Sequence, residues 1–460
     1  MMLSTLFLSR IQFAFTMSMH IIFPAFSIGL ISFLVFMEGA WLKTKNPVYY
    51  QIIRFWTKVF ALTFGMGVVS GIAMEFQLGT NWAGFSKQIG SVLGPLFIYE
   101  VMSAFFVEAG FIGILIFGWN KVGEKLHFAA TLMVAIGTLI SAYWILSANS
   151  WMQHPIAYAM ENGKYVAINW QEIMFNPYNL PRYLHMVLAA WLSTAFVIIS
   201  ISSYYLLREQ NIEFAKKCLR FSVIAIILLV PLQVFLGDAA GVNVYKYQPI
   251  KTAAMEGLWN TERGAPTIIF AIPSNTQQKN LFEFGRIPYG SAILNTHDYN
   301  GELTGLKSVV PENQPEVWPV FFGFRIMVGL GVIMLIYAIF ATIMLAKNKL
   351  YSSPKMLYFS QFLAPIGFIA LLAGWITAEI GRQPWAVYGL IRTRDAASNV
   401  SMHDVLVGFI LIFIIYVIIF GGCYFYFLDK TIKKGPADLD SIQPFSFLSG
   451  GASSDKGVEK

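Results

Sequence analysis

The chain has 460 residues, of which 56% are hydrophobic and only 12% charged, with a mean hydropathy of +0.59. That balance excludes an ordinary soluble domain and places the chain among polytopic, all-α membrane proteins. The net charge of +7 reflects basic loops in this class and not nucleic-acid binding.

Nine apolar runs are long enough to cross a bilayer, at roughly 12–41, 52–76, 93–118, 126–149, 183–207, 218–240, 317–346, 356–380 and 404–428. The first is too long for a signal peptide and follows a single basic residue, Arg10, so it is expected to remain as a span. The organisation expected is 1–240 with six spans, a long loop at 241–316, three spans at 317–430 and a polar, Gly/Ser-rich disordered tail at 431–460. The loop shows no clear helical period, and no internal repeat is evident. The two cysteines, Cys218 and Cys423, form no CxxC or CxxCH pattern, which argues against disulfides, zinc and covalently attached haem.

Basic residues gather after the odd-numbered spans: Lys43, Lys45, Lys121, Lys125, Arg208, Lys216, Lys217, Lys347, Lys349 and Lys355, with Lys430, Lys433 and Lys434 after the ninth. The positive-inside rule makes those loops cytoplasmic, the N-terminus outside and the C-terminus cytoplasmic. The 241–316 loop then lies outside.

This orientation turns scattered polar residues into a layer. His20, Glu100, His185, Arg325, Met327 and Glu379 all fall in the outer half of the membrane. Glu379 closes the eighth span within Trp-Ile-Thr-Ala-Glu-Ile-Gly-Arg-Gln-Pro-Trp. Trp375 stands one turn before it, and Arg382 three residues after. Alone, this reads equally as a Glu–Arg pair capping a helix beside an interfacial Trp. Sharing a depth with other ionisable groups favours function, because a membrane carboxylate is costly unless paired or bound.

Histidine, methionine and glutamate at one depth suit axial ligands of haem iron. His185 and Met327 are candidates for a His/Met pair, although a lone Met on an apolar helix is more often core. His20, Glu100 and Glu379 remain for irons that keep a position open, and Arg325 could meet haem carboxylates. The six histidines are too few and wrongly placed for a haem–copper oxidase or a bis-histidine cytochrome. Glu108, about 12 Å deeper than Glu100 at 1.5 Å per residue, suits a proton relay that Ser141 and Ser147 could extend. Against that role, membrane hydroxyls commonly bond their own backbone. The rival reading is a haem-free, proton-coupled transporter lined by Glu100, Glu108 and Glu379, for which no inverted repeat is visible.

Several segments carry a resemblance: Gly-Arg-Gln-Pro-Trp at 381–385, Phe-Arg-Ile-Met at 324–327, Glu-Phe-Gln-Leu-Gly-Thr-Asn-Trp at 75–82, Gly-Pro-Leu-Phe-Ile-Tyr-Glu at 94–100, Trp-Met-Gln at 151–153 and Gln-Pro-Ile-Lys-Thr-Ala-Ala-Met-Glu at 248–256. Together they make the chain similar to subunit I of the cytochrome bd quinol oxidases over nearly its whole length. The resemblance implies a multi-pass protein of the bacterial cytoplasmic (inner) membrane that oxidises quinol at the outer face and reduces O2 to water. It implies a low-spin haem b on His185 and Met327. It also implies a high-spin haem b and a haem d whose proximal ligands are His20 and Glu379, with Glu100 across from the His20 haem. Glu108 matches the proton-channel acid, and Lys251 and Glu256 match the quinol-binding residues, a pair that spacing alone would leave as solvated loop charges. A second hydrophobic subunit and a very small third one are the implied partners. About 69 positions separate Glu256 from Arg325, resembling the short-loop class. The resemblance leaves open ubiquinol or menaquinol, which high-spin haem sits on which ligand, and whether haem b replaces haem d.

Overall fold

The computed structural model describes residues 4–119 and 121–438. Among them, nine helices are long and apolar enough to cross a membrane. They are α1 (Thr5–Thr44), α2 (Pro47–Thr80), α3 (Ala83–Phe117) and α4 (Glu124–Gln153), α5 (Asn179–Leu207) and α6 (Ile212–Tyr247). After a short helix α7 (Pro249–Glu256) come α8 (Val317–Ala346), α9 (Pro354–Ile380) and α10 (Met402–Lys434). The sequence placed every span, while the helices overrun the apolar runs by several residues at most ends.

Local chemistry marks the helix ends. The Ser4 hydroxyl accepts from Phe7 N at the start of α1, and Asn46 caps α2 with Pro47 at its first position; both are preferred N-terminal residues. Gly257 stops α7 at φ +66°, a backbone conformation that costs a residue without Cβ little.

Lipid is as apolar as leucine, so close packing rather than water exclusion must hold spans together. Small residues allow it. A Cβ at Gly29 of α1 would lie 2.6 Å from the Ala190 carbonyl of α5, and one at Gly367 of α9 would lie 2.5 Å from Ser193 Cα. A large core around Trp56, Phe60, Phe214 and Leu34 fills the basic-loop end of the bundle.

The expected tail begins later than residue 431, because α10 runs to Lys434; positions 439–460 lie outside the described residues. The 241–316 segment is also more regular than its sequence suggests. The hairpin of β1 (Tyr158–Glu161) and β2 (Lys164–Ala167) has a larger counterpart there, in which antiparallel β3 (Thr267–Ser274) and β4 (Lys279–Ile287) pair Phe270 with Phe284 and Ile272 with Phe282. Helix α3 contains a π turn at Val101–Phe105, directly after Glu100. π turns recur at functional sites.

Candidate functional site

A polar network centred on Glu379 joins α4, α5, α7 and α9. Its Oε1 accepts from Asn149 Nδ2 at 3.0 Å and Gln153 Nε2 at 3.1 Å, two residues one turn apart on the last stretch of α4. Its Oε2 accepts from Arg382. Arg182, early in α5, donates to Asn149 Oδ1 at 2.6 Å and Ser150 Oγ at 3.0 Å. Lys251 of α7 donates to Gln153 Oε1 at 2.6 Å. Three basic side chains therefore surround one carboxylate.

Arg382 Nε and Nη1 are buried without a hydrogen-bond partner, which is rare for so costly a group. Burial holds Lys251 well below the usual lysine pKa, the charges of Arg182 and Arg382 add to the depression, and Glu379 opposes it. Its stem lies on Gly381, where a Cβ would come 2.6 Å from Lys251 Cγ.

Lys251 and Glu256 are not solvated loop charges: each is only 2% exposed. Nor are they partners. The Glu256 Oε2 accepts from Ser291 Oγ at 2.8 Å and Arg325 Nη2 at 3.0 Å. Arg325 thus pairs with Glu256, and its Nε donates to the Ile268 carbonyl at 2.9 Å. Five helical positions separate Lys251 from Glu256, which turns the two onto different faces of α7.

The remaining candidates sit at helix–helix contacts. His20 Nδ1 lies 2.9 Å from Ser70 Oγ. His185 Nε2 lies 3.3 Å from Gln233 Nε2, and its Nδ1 is buried without a partner. Each proposed sulfur or imidazole ligand also faces a glycine on the next helix. A Cβ would fall 3.3 Å from His20 Cε1 at Gly71, 3.2 Å from His185 Cε1 at Gly237 and 2.6 Å from Met327 Sδ at Gly374. Trp375 is half-buried one turn before Glu379.

Glu100 accepts from Ser141 Oγ at 2.6 Å, so this hydroxyl does not turn back on its own helix. Ser147 instead donates to the Met174 carbonyl at 3.3 Å. Glu108 is buried where a Cβ on Gly137 of α4 would come 2.7 Å from its Cγ. The π turn between Glu100 and Glu108 rises less per residue than an α turn, which shortens the 12 Å separation expected from a regular helix.

Sequence reasoning missed Arg182, Asn149, Gln153 and Ser291, and also a buried cluster at the basic-loop end. There the Glu38 Oε1 meets His127 Nδ1 at 2.6 Å, its Oε2 accepts from Thr131 Oγ1 at 2.6 Å, and His127 Nε2 reaches the Leu115 carbonyl at 3.2 Å. The signal was available, since Glu38 is a carboxylate inside an apolar run.

Residues 8–436 match the family model described as cytochrome bd terminal oxidase subunit I. The chain is 35% identical to the cytochrome bd ubiquinol oxidase subunit 1 of Bacillus subtilis (strain 168), over 96% of this chain and 98% of that one. It is 31% identical to the cytochrome bd-II ubiquinol oxidase subunit 1 of Escherichia coli (strain K12), over 95% and 98%. Its fold is similar to the bd oxidase structure from Geobacillus thermodenitrificans, with a TM-score of 0.88 and 27% identity over 94% of this chain and 99% of that one. The chain belongs to the cytochrome bd terminal oxidase subunit I family.

Proposed function

We propose that this chain carries two haems b and a haem d, takes electrons from quinol at the outer membrane face and reduces O2 to water with protons drawn from the cytoplasm. Membership of a terminal quinol oxidase family fixes the broader statement: a haem-containing quinol:oxygen oxidoreductase subunit in the membrane, working with a subunit II. It also sets aside the haem-free transporter. The bacterial cytoplasmic membrane, a very small third subunit and the N-out orientation belong to the proposal, the last resting on the basic loops.

The residues fit haem. Among the described residues no cluster of three or more His, Cys, Asp or Glu could hold a bare metal ion, whereas haem requires only axial donors from separate helices. The unpartnered Nδ1 of His185 and the glycine-backed positions of His20, His185 and Met327 suit such donors. The surplus of positive charge around Glu379, with two free nitrogens on Arg382, suits the carboxylates such a group carries. His185 and Met327 would hold the low-spin haem b, and His20 and Glu379 the high-spin haems, with Glu100 facing the His20 haem. When bound, haem supplies electron transfer and oxygen reduction.

The protein's own contribution is positioning and proton handling. Asn149, Gln153 and Arg382 fix the Glu379 carboxylate through charge-assisted hydrogen bonds. Trp375 packs one turn away on the same helix. Glu108, buried between α3 and α4, and the Glu100–Ser141 hydrogen bond lie along a route for protons through the bundle.

At the outer loop, Glu256 can receive a quinol proton, with Arg325 Nη2 held beside it at 3.0 Å. Lys251, whose proton is loosely held, can gain charge as quinol loses it. The observation that carries this reading is the buried network of Lys251, Gln153 and Glu379, which connects the quinol loop to a proposed iron ligand through two hydrogen bonds. Lys251→Ala and Glu256→Ala test it: the haem bands and oxygen uptake from an artificial reductant should persist while quinol oxidation falls. Ordinary quinol kinetics in both variants would move the quinol site elsewhere.

A further inference from the structure

The hairpin β3–β4 exposes large apolar side chains that a water-facing loop has no reason to carry. Phe284 is 66% exposed, and Phe270, Ile272 and Phe282 are exposed beside it. The register places Phe270 opposite Phe284 and Ile272 opposite Phe282, so the four share one face. Meanwhile Ile268 and Ala271 are buried against Phe321 of α8.

Position decides what covers that face. Arg325 lies eight residues into α8, about 12 Å along its axis, and donates to the Ile268 carbonyl of β3. The strand therefore runs beside the first turns of the span instead of above them. The aromatic surface is also continuous: Phe270 packs on Phe322 at 5.6 Å between centroids, and Phe322 on Trp318 at 5.0 Å. Trp318 is 58% exposed at the mouth of α8, followed on the same helix by exposed Ile326, Val328 and Val332.

We propose that the exposed face of β3–β4 lies in the interfacial layer of the bilayer, with lipid as its occupant, continuing the aromatic belt of α8. The depth is bounded. A two-stranded ribbon leaves open edges, which hydrocarbon does not tolerate, so the hairpin rests among headgroups and upper acyl carbons. It would anchor the loop bearing Lys251 and Glu256 at the surface from which a lipid-soluble donor arrives.

The test uses the complete oxidase in phosphatidylethanolamine–phosphatidylglycerol vesicles containing a lipid with a photoreactive diazirine on an upper acyl carbon. After illumination, peptides spanning 267–287 should carry lipid adducts, and those spanning 158–167, the other hairpin, should not. Phe284→Ser should lower the 267–287 yield several-fold while leaving adducts on α8 unchanged. Absence of adducts on 267–287 while α8 is labelled would overturn the proposal, whether water or a partner subunit covers the face.

Discussion

Replacing Gly374 by alanine probes the low-spin site without touching a proposed ligand. The added Cβ would lie 2.6 Å from Met327 Sδ, where non-bonded heavy atoms settle at about 3.5–4.0 Å. The crowded atom is the end of a flexible side chain, so the thioether retreats by about 1 Å and the backbone stays. Alanine favours the helix over glycine by about 1 kcal/mol, so folding should not suffer. A sulfur displaced that far no longer reaches an iron it ligated, and loss of a methionine ligand lowers the potential. The assay is a reduced-minus-oxidised spectrum with a redox titration of the purified complex. Gly329→Ala on α8, which opens onto free space, is the control. An unchanged low-spin band and potential in Gly374→Ala, or an equal change in Gly329→Ala, would refute the reasoning.

Met327→Leu, close in volume, should keep the complex assembled but lower the low-spin potential; an unaltered potential removes Met327 from the ligand set. Glu108→Gln keeps size and hydrogen bonding but cannot exchange a proton, so oxygen uptake and membrane potential in sealed vesicles should both drop. Normal charge movement there would end the relay role. Glu379→Gln weakens the acceptor of three donors and should change a high-spin spectrum directly. His127→Ala leaves the buried Glu38 without its imidazole partner and should cost stability by about 3–5 kcal/mol, read as a lower thermal inactivation temperature of the complex; unchanged inactivation would show that the pair is not structurally coupled.

The spans were legible because twenty apolar residues have few alternative fates, and Glu379 was legible because a membrane carboxylate demands a partner. Its partners were not. Asn149 and Gln153 stand 230 and 226 positions away, and amides at a helix end carry no signal of their own. The Arg325–Glu256 pair was hidden for a related reason: Glu256 belongs to a loop whose return path no periodicity records. The burial of Lys251 depends on α7 folding back under the ends of α4 and α9. The π turn after Glu100 leaves no mark in the apolar run, so the spacing of Glu108 could only be reckoned on a regular helix.

The most direct measurement is the haem content and reduced-minus-oxidised spectrum of the purified oxidase beside its His185→Ala variant. The parent should show low-spin b, high-spin b and far-red d bands, and the variant should lack the low-spin b band. A parent without haem bands, or a variant retaining the full low-spin band, would contradict the assignment of this chain's histidine to haem.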